Sequence, residues 1–277
     1  GFGVNKEIDI EFRIVTKDGM KYIASKGHEV AAAGKDGRCF AGILMDITVR
    51  KGLEKMAEEL RNDQQRLILA TTLKAQEKER SEISSALHDS ICQLLYAIRL
   101  NLQNYQIKNG LTTEFVNVGK LLEQAIRETR QISYELTPSV LKDFGFTAGV
   151  KEMALRLASP SFFIKPNIQS GADLLHPKVQ LYLFRIIQEL INNAMKHSEA
   201  TRADIKVSIH NDFVKVNVSD NGKGFSEPID ELFMRGSGLR GIKNRVFLLD
   251  GKIDFKSDAN GTSINITFRK DVGVSDI

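Results

Sequence analysis

Leu87-His88-Asp89-Ser90-Ile91-Cys92-Gln93 lies inside a longer run, Glu77 to Tyr105, and the reading of that run decides the fold. Ile83, Leu87, Ile91, Leu94, Ile98 and Leu102 recur at steps of three and four, which puts them on one stripe of an α-helix that has to be buried against other helices. His88 follows Leu87 by one residue, a rotation of roughly 100°, and so stands at the margin of the stripe. Asp89 and Gln93 are a turn apart beside it, so an imidazole, a carboxylate and an amide converge on one patch of helix surface. Such a patch is a plain solvated face unless a partner site elsewhere in the chain needs a nucleophile.

Upstream, Lys51 to Gln76 contains no Pro, and its one Gly, Gly52, stands at its start. Leu53, Met56, Leu60, Leu67 and Ala70 fall near a heptad frame with Glu and Arg between them, which predicts a coiled-coil linker feeding the Glu77 helix. A continuous helix of this kind can pass a twist or register change between domains. Before it, Ile8 to Val15 alternates as a half-buried strand, Lys17-Asp18-Gly19 is a turn, and Lys21 to Ser25 is extended again. A second turn, Gly34-Lys35-Asp36-Gly37, leads into Phe40 to Ile47. Glu11-Phe12-Arg13-Ile14, Lys17-Asp18-Gly19, Gly42 and Asp46-Ile47-Thr48-Val49-Arg50-Lys51 resemble the end of a PAS sensor domain, with Val49 where that family usually has an acidic residue. The resemblance implies that residues 1–50 are the C-terminal half of such a domain, with an incomplete ligand pocket, and that residues 51–76 are the signalling linker.

Downstream, Asn109-Gly110 breaks the helix, and Thr112 or Thr113 can cap a second one beginning near Glu114. Phe115, Val118, Leu122, Ile126, Ile132 and Leu136 form its stripe, and Pro138 stops it. Two long helices joined by a short loop pack antiparallel and leave one apolar side wet. A homodimer forming a four-helix bundle would close that side. After Phe144-Gly145 the pattern becomes mixed. Thr147 to Leu157 reads as a helix, Phe162 to Ile168 as a strand, and Pro177 opens a helix through Lys196. Ala203 to Ile209 and Phe213 to Val218 form a hairpin across His210-Asn211-Asp212. Gly238 to Leu249 has helical spacing, and Lys252 to Phe255 and Thr262 to Phe268 close as strands. Helices on one face of a mostly antiparallel sheet make an α+β sandwich.

Three clusters in this last region carry chemistry. In Gln188-Glu189-Leu190-Ile191-Asn192-Asn193-Ala194-Met195-Lys196-His197, Glu189 and Asn193 are a turn apart, with Lys196 a further turn on. An amide oxygen suits Mg²⁺, which binds through a few protein oxygens plus substrate phosphates, and Lys196 can offset phosphate charge. Asp220-Asn221-Gly222-Lys223-Gly224-Phe225 leaves a strand with two glycines, which let backbone approach a flat ligand while Asp220 accepts from an amine. Gly236-Ser237-Gly238-Leu239-Arg240-Gly241 offers free N–H groups at a helix start. A dinucleotide-binding reading of those glycines requires a hydrophobic strand just before them, and Ser226 to Arg235 with Pro228 is not one.

In this order and spacing the three clusters resemble the N, G1 and G2 boxes of the GHKL ATPase superfamily. Glu79-Arg80, Ile83 and Leu87-His88-Asp89 with Gln93 resemble the phosphoacceptor helix of sensor histidine kinases whose partners are NarL/LuxR-type response regulators. Gln131 to Pro138 with Leu141 and Gly145 is similar to that family's second helix and its exit. Glu82, Ser85 and Ala86 depart from the family pattern on the helix flank, which bears on docking rather than on the phosphoacceptor. The resemblance implies an α+β multidomain chain: a dimeric phosphotransfer hairpin over residues 77–143 and a catalytic ATP-binding sandwich of the Bergerat type over residues 144–277.

The resemblance also implies the site. Adenine would lie on Asp220, with Gly222, Gly224, Leu239 and Thr262 around the nucleotide. Mg²⁺ would be held by Asn193 and the phosphates. The Gly236, Gly238 and Gly241 loop would close as a lid, and Glu189 would act at the γ-phosphate. His88 would take the phosphoryl group and Asp89 the ring proton; an aspartate of a response regulator would receive it next. Gln93 would align water in a phosphatase mode. An ATPase of the same superfamily that hydrolyses ATP without a phosphoacceptor stays open at this point, as does a dimeric scaffold that merely binds nucleotide.

Composition narrows the classes without choosing among them. The formal charge of +4 is small beside 39 basic and 35 acidic residues, so nucleic acid is not implied. Cys39 and Cys92 are too few and too far apart for a disulfide framework or a metal pair, which suits a reducing cytosol. Cys39 to Met45 is the longest uncharged apolar run and is far too short to cross a bilayer. The chain opens at Gly1 rather than Met, and we expect the cytoplasmic part of a longer, membrane-associated sensor.

Overall fold

The computed structural model describes residues 7–17, 19–31, 38–109, 113–137, 139–225 and 237–271. Two compact units, Gly1–Arg66 and Leu67–Ile277, make up the chain. The first holds three antiparallel strands in the order β1-β2-β3, with β1 at Glu7–Thr16, β2 at Gly19–Ala31 and β3 at Arg38–Asp46. The residues that follow β3 tie this sheet to the helix after it. Asp46 Oδ1 accepts from the Thr48 N–H at 3.0 Å and from the Thr48 hydroxyl at 2.6 Å, and the same hydroxyl oxygen accepts from the Tyr22 N–H at 2.9 Å. These hydrogen bonds from Thr48 hold the Asp46 carboxyl below its usual range. Glu11 on β1 is bridged by Arg50 at 2.5 Å and Lys51 at 2.6 Å. The turn expected at Gly34 to Gly37 lies outside the described residues.

Helix α1 runs from Thr48 to Ala86, passes into a π-helical turn at Leu87–Cys92, and continues as α2, Gln93–Asn109. The linker and the Glu77 helix are therefore one element, as the absence of Pro and of any Gly beyond Gly52 allows. Helix α3, Thr113–Leu136, returns antiparallel to it. Buried Ser84 and Ser133 let the two legs approach closely, with their hydroxyl oxygens 3.0 Å apart and Ser84 Oγ donating to the Ser133 carbonyl at 2.9 Å. Near the reversal the rings of Tyr105 and Phe115 lie 5.1 Å apart. Cys92, Leu122 and Ile126 are buried between the legs, while Ile91, Leu94, Ile98, Val118 and Ile132 remain exposed on the stripes and Leu121 is exposed beside them. Gly110, Thr112 and Pro138, expected to end or start these helices, lie outside the described residues.

The remainder is an α/β layer. Helix α4, Ser139–Leu157, begins earlier than the expected Thr147 and bends at Gly145, whose φ of 86° no helix contains. Asp173 then caps the second part, accepting from the Thr147 N–H at 2.8 Å and from its hydroxyl at 2.6 Å. Strands β4 (Phe163–Ile168), β5 (Arg202–His210), β6 (Phe213–Asp220), β7 (Lys252–Asp258) and β8 (Gly261–Arg269) form one sheet in the order β4-β5-β6-β8-β7. Only β4 and β5 run parallel. Their alternation sends Ile205, Val207, Val214, Val216, Ile264, Ile266 and Phe268 inward against helix α5, Pro177–His197, and helix α6, Ser237–Leu248. This is the mixed α+β architecture expected from the sequence. No helix among the described residues is long and apolar enough to cross a membrane.

Candidate functional site

His88 sits in the π turn with 65% of its side chain exposed, and Asp89 beside it is equally open at 64%. His88 Nδ1 lies 3.0 Å from Asp89 Oδ1. An ionised carboxylate can only accept, so this contact places the ring hydrogen on Nδ1 and leaves the lone pair on Nε2. Gln93 follows directly after the π turn that carries His88 and Asp89. A cavity of about 520 Å³ opens beside the ring, lined by Ser81, Ser85, Asp89, Arg130, Tyr134 and Arg156 among others.

A second site forms where α5, the ends of β6 and β8, and the start of α6 meet. Leu190, Ala194, Val218, Leu239 and Ile264 give apolar walls to a slit, while Asn193, His197, Asp220 and Thr262 supply its polar groups, with Gly224 and Phe225 at the edge. Asp220 closes β6 opposite Thr262 in the sheet register, and its Oδ1 accepts from the Gly222 N–H at 2.9 Å. The chemistry of this lining, apolar walls with one carboxylate, is of the kind that suits a heteroaromatic base carrying an amine. Gly222 does not face the slit. A Cβ there would strike the Ser198 carbonyl and hydroxyl, so its glycine is required by the neighbouring chain rather than by the ligand.

Glu189, Gly238 and Gly241 line a neighbouring cleft, together with Thr72, Gln76, Arg80 and Ile83 of α1. The Glu189 carboxylate packs directly over Gly238, where a Cβ would collide with its oxygen and lie 2.9 Å from Cδ. Because the obstacle is the end of a flexible side chain, Gly238→Ala is expected to leave the unfolding midpoint within about 2 °C. It should still cut any turnover that depends on Glu189 by tenfold or more, read as kcat at saturating ATP. Lys196 is exposed at the end of α5 and outside both linings. Gly236 lies outside the described residues.

Sequence reasoning missed Leu190, Ala194, Ser198, Val218 and Ile264, which look like ordinary core positions. It also missed Arg185. A lone cation in Tyr182-Leu183-Phe184-Arg185-Ile186-Ile187 demands a buried carboxylate partner, and that partner is Glu77 at 2.6 Å.

The chain thus carries two features, an exposed histidine on a helical hairpin and a slit with apolar walls around Asp220 in an α/β layer. Both lie in segments that match known families. Residues 79–141 match the family described as "Histidine kinase", and residues 178–272 match "Histidine kinase-, DNA gyrase B-, and HSP90-like ATPase". The chain is 30% identical over 202 residues to the sensor histidine kinase MctS of Rhizobium johnstonii, covering 70% of this chain and 44% of that protein. It is 29% identical over 208 residues to the oxygen sensor histidine kinase NreB of Staphylococcus carnosus, covering 73% and 59%. The histidine kinase domain from the Erythrobacter litoralis EL346 blue-light activated histidine kinase matches at 14% identity and a TM-score of 0.43, over 71% of this chain and 95% of that one. The chain thus belongs to the sensor histidine kinases, joining their histidine-bearing helical domain to their ATP-binding domain. It spans less than two thirds of the length of these two relatives.

Proposed function

We propose that this protein autophosphorylates His88 from ATP and passes the phosphoryl group to an aspartate of a response regulator of the NarL/LuxR type. The observation that carries the reading is the solvent-open His88 ring with Nδ1 held 3.0 Å from Asp89. Nε2 attacks the γ-phosphorus in line, and the bond from phosphorus to the β,γ-bridging oxygen breaks. ADP leaves, and the Nδ1 proton passes to Asp89. ATP supplies the phosphoryl group, and Mg²⁺ held by Asn193 and the phosphates would neutralise charge. Asp220, Leu239 and Thr262 seat the base, Lys196 offsets phosphate charge, and the first turns of α6 at Gly238 and Gly241 face the phosphates, with Glu189 beside them. Phosphoryl transfer asks mainly for position and charge compensation, which suits a mobile ATP-bearing domain.

Residues 1–50 are read as the latter half of a PAS-type sensor, 51–76 as the coiled-coil linker, 77–143 as the dimerisation and phosphotransfer hairpin, and 144–277 as the catalytic domain. The exposed Ile91, Leu94, Ile98 and Leu121 support a homodimeric four-helix bundle. The reading places this part of the protein in the cytoplasm, alongside its regulator.

Gln93, one turn beyond Asp89, would align water against the regulator's aspartyl phosphate. Gln93→Ala should leave autophosphorylation within about twofold and slow loss of regulator phosphate by about 10². Equal impairment of both reactions would remove the phosphatase role. Transfer itself is tested by mixing the phosphorylated chain with a NarL-type receiver domain: label should move to the receiver within minutes. Label retained on the kinase would count against the regulator class.

A further inference from the structure

Strand alternation gives the five-stranded sheet two faces of opposite chemistry. Ala203, Ile205, Val207, Val214, Val216 and Ile266 are buried in the core with α5 and α6, whereas the residues between them stand outward, exposed or half-buried. The register lines up Lys165, Asp204, Ser219, Ser263 and Lys256 in one outward row, and Asn167, Lys206, Asn217, Asn265 and Asp254 in the next. Ser208, Lys215, Thr267 and Lys252 form a third row. Arg202 and Arg269 stand outward at opposite ends of the sheet.

Seven basic residues therefore share this face with three carboxylates, the third being Asp258 at the end of β7. Among the described residues, Arg202 is the one cation of the seven in an ion pair, 2.7 Å from Asp204. Taking seven from the 39 basic residues of the chain and three from the 35 acidic ones leaves 32 of each, so the formal charge of +4 resides on this face.

The shape of the patch selects its partner. Strands lie about 4.8 Å apart and residues rise about 3.3 Å, so the patch extends roughly 19 Å across the sheet and roughly 26 Å along β5. Charge spread in two dimensions matches a surface better than a single chain. The centre of the patch is short and uncharged: Asn217 Nδ2 donates to Ser263 Oγ and to Asn265 Oδ1, each at 2.9 Å. Sheets that bind single-stranded nucleic acid carry aromatic rings there for bases to stack on, and this centre has none. Two exposed rings, Phe163 at 59% and Phe213 at 45%, stand outward instead at opposite ends of the sheet. Apolar tips in those places can sink among lipid headgroups while the lysines keep their charge in water. The nucleotide slit is walled by Val218 and Ile264 of the inward set, so a surface laid on the outward face leaves it accessible.

We propose that the outward face of this sheet is a docking surface for an anionic lipid membrane, on which the layer lies with its helices and slit turned away from the lipid. Each basic residue near an anionic surface strengthens such a contact about fivefold, and salt screens it. The proposal does not depend on the kinase reading.

The test is sedimentation of the full chain with vesicles of phosphatidylcholine, with or without phosphatidylglycerol. The chain should pellet with the mixed vesicles at low salt, stay in solution with phosphatidylcholine alone, and leave the mixed vesicles at about 0.5 M salt. The triple variant Lys206→Gln, Lys215→Gln, Lys252→Gln should lower the partition coefficient about 10²-fold. Lys108→Gln, Lys120→Gln, Lys151→Gln removes the same charge from helix positions and should lower it less than about threefold. All six lysines are exposed, and an unfolding midpoint unchanged from the wild type verifies that both variants are folded. No pelleting with mixed vesicles, or equal pelleting with phosphatidylcholine alone, overturns the membrane contact. Equal losses in the two triple variants overturn the face as its site. Tighter binding of duplex DNA than of mixed vesicles at the same salt would assign the face to nucleic acid instead.

Discussion

Asp89→Asn is expected to slow autophosphorylation by about 10² to 10⁴-fold, the usual contribution of a positioned proton acceptor, while nucleotide affinity stays within about twofold. The asparagine keeps an oxygen where Asp89 Oδ1 now lies 3.0 Å from His88 Nδ1, so the ring keeps its tautomer and orientation. What it loses is the ability to take the proton once Nε2 has bonded to phosphorus. Because both side chains are open to solvent, no repacking confuses the result. Initial rates with γ-labelled ATP, set beside the Kd for an ATP analogue, separate the two quantities. A loss smaller than about threefold would reduce Asp89 to orienting the ring.

The second large effect is expected at the far end of the molecule's chemistry. Asp220→Ala should weaken ATP binding about 10 to 150-fold, the equivalent of about 1.5–3 kcal/mol for a hydrogen bond to a charged group. Asp220 stands at the end of β6 against Thr262 and lines the slit, and its carboxylate accepts from the Gly222 N–H, which restrains it. A carboxylate there favours the exocyclic amine of adenine and disfavours guanine, which presents a carbonyl oxygen at the same place. Asp220→Asn can turn an N–H toward that oxygen and should narrow the preference for ATP over GTP. Competition binding of the two nucleotides measures the ratio; an unchanged ratio would move the base elsewhere.

Much of this architecture was legible from spacing. The stripes of Ile83 to Leu102 and Phe115 to Leu136 foretold the hairpin, and the alternation in Ala203 to Ile209 and Phe213 to Val218 foretold a sheet hairpin, because burial imposes periods of 3.6 and 2 on any sequence. Asn193, Asp220 and Gly224 stood out as polar residues and a glycine in their clusters, while Leu239 and Thr262 came only from the family resemblance; all five line the slit. The π turn could not be read: Leu87 to Cys92 has ordinary helical composition, and an extra residue in the turn leaves no mark on a period. The slit's apolar walls were also hidden, since Val218 and Ile264 obey the same alternation as core residues that touch no ligand. Arg185 carried a usable signal, a charge in a buried face, but its partner lies 108 residues away and no local rule pairs them.

The division between chemistry and scaffold follows from these positions. The residues that would touch nucleotide lie on the C-terminal half of α5, the ends of β6 and β8 and the start of α6, whereas His88 projects from a helix flank into solvent.

The most direct measurement is the mapping of label after incubation with Mg²⁺ and γ-labelled ATP. A phosphoryl group that is lost in acid, stable in base and located by peptide mass spectrometry on His88, and that is absent from His88→Ala although that variant still binds the ATP analogue, is the predicted result. ATP hydrolysed to phosphate with no label on the chain, or label of equal yield in His88→Ala, would contradict it.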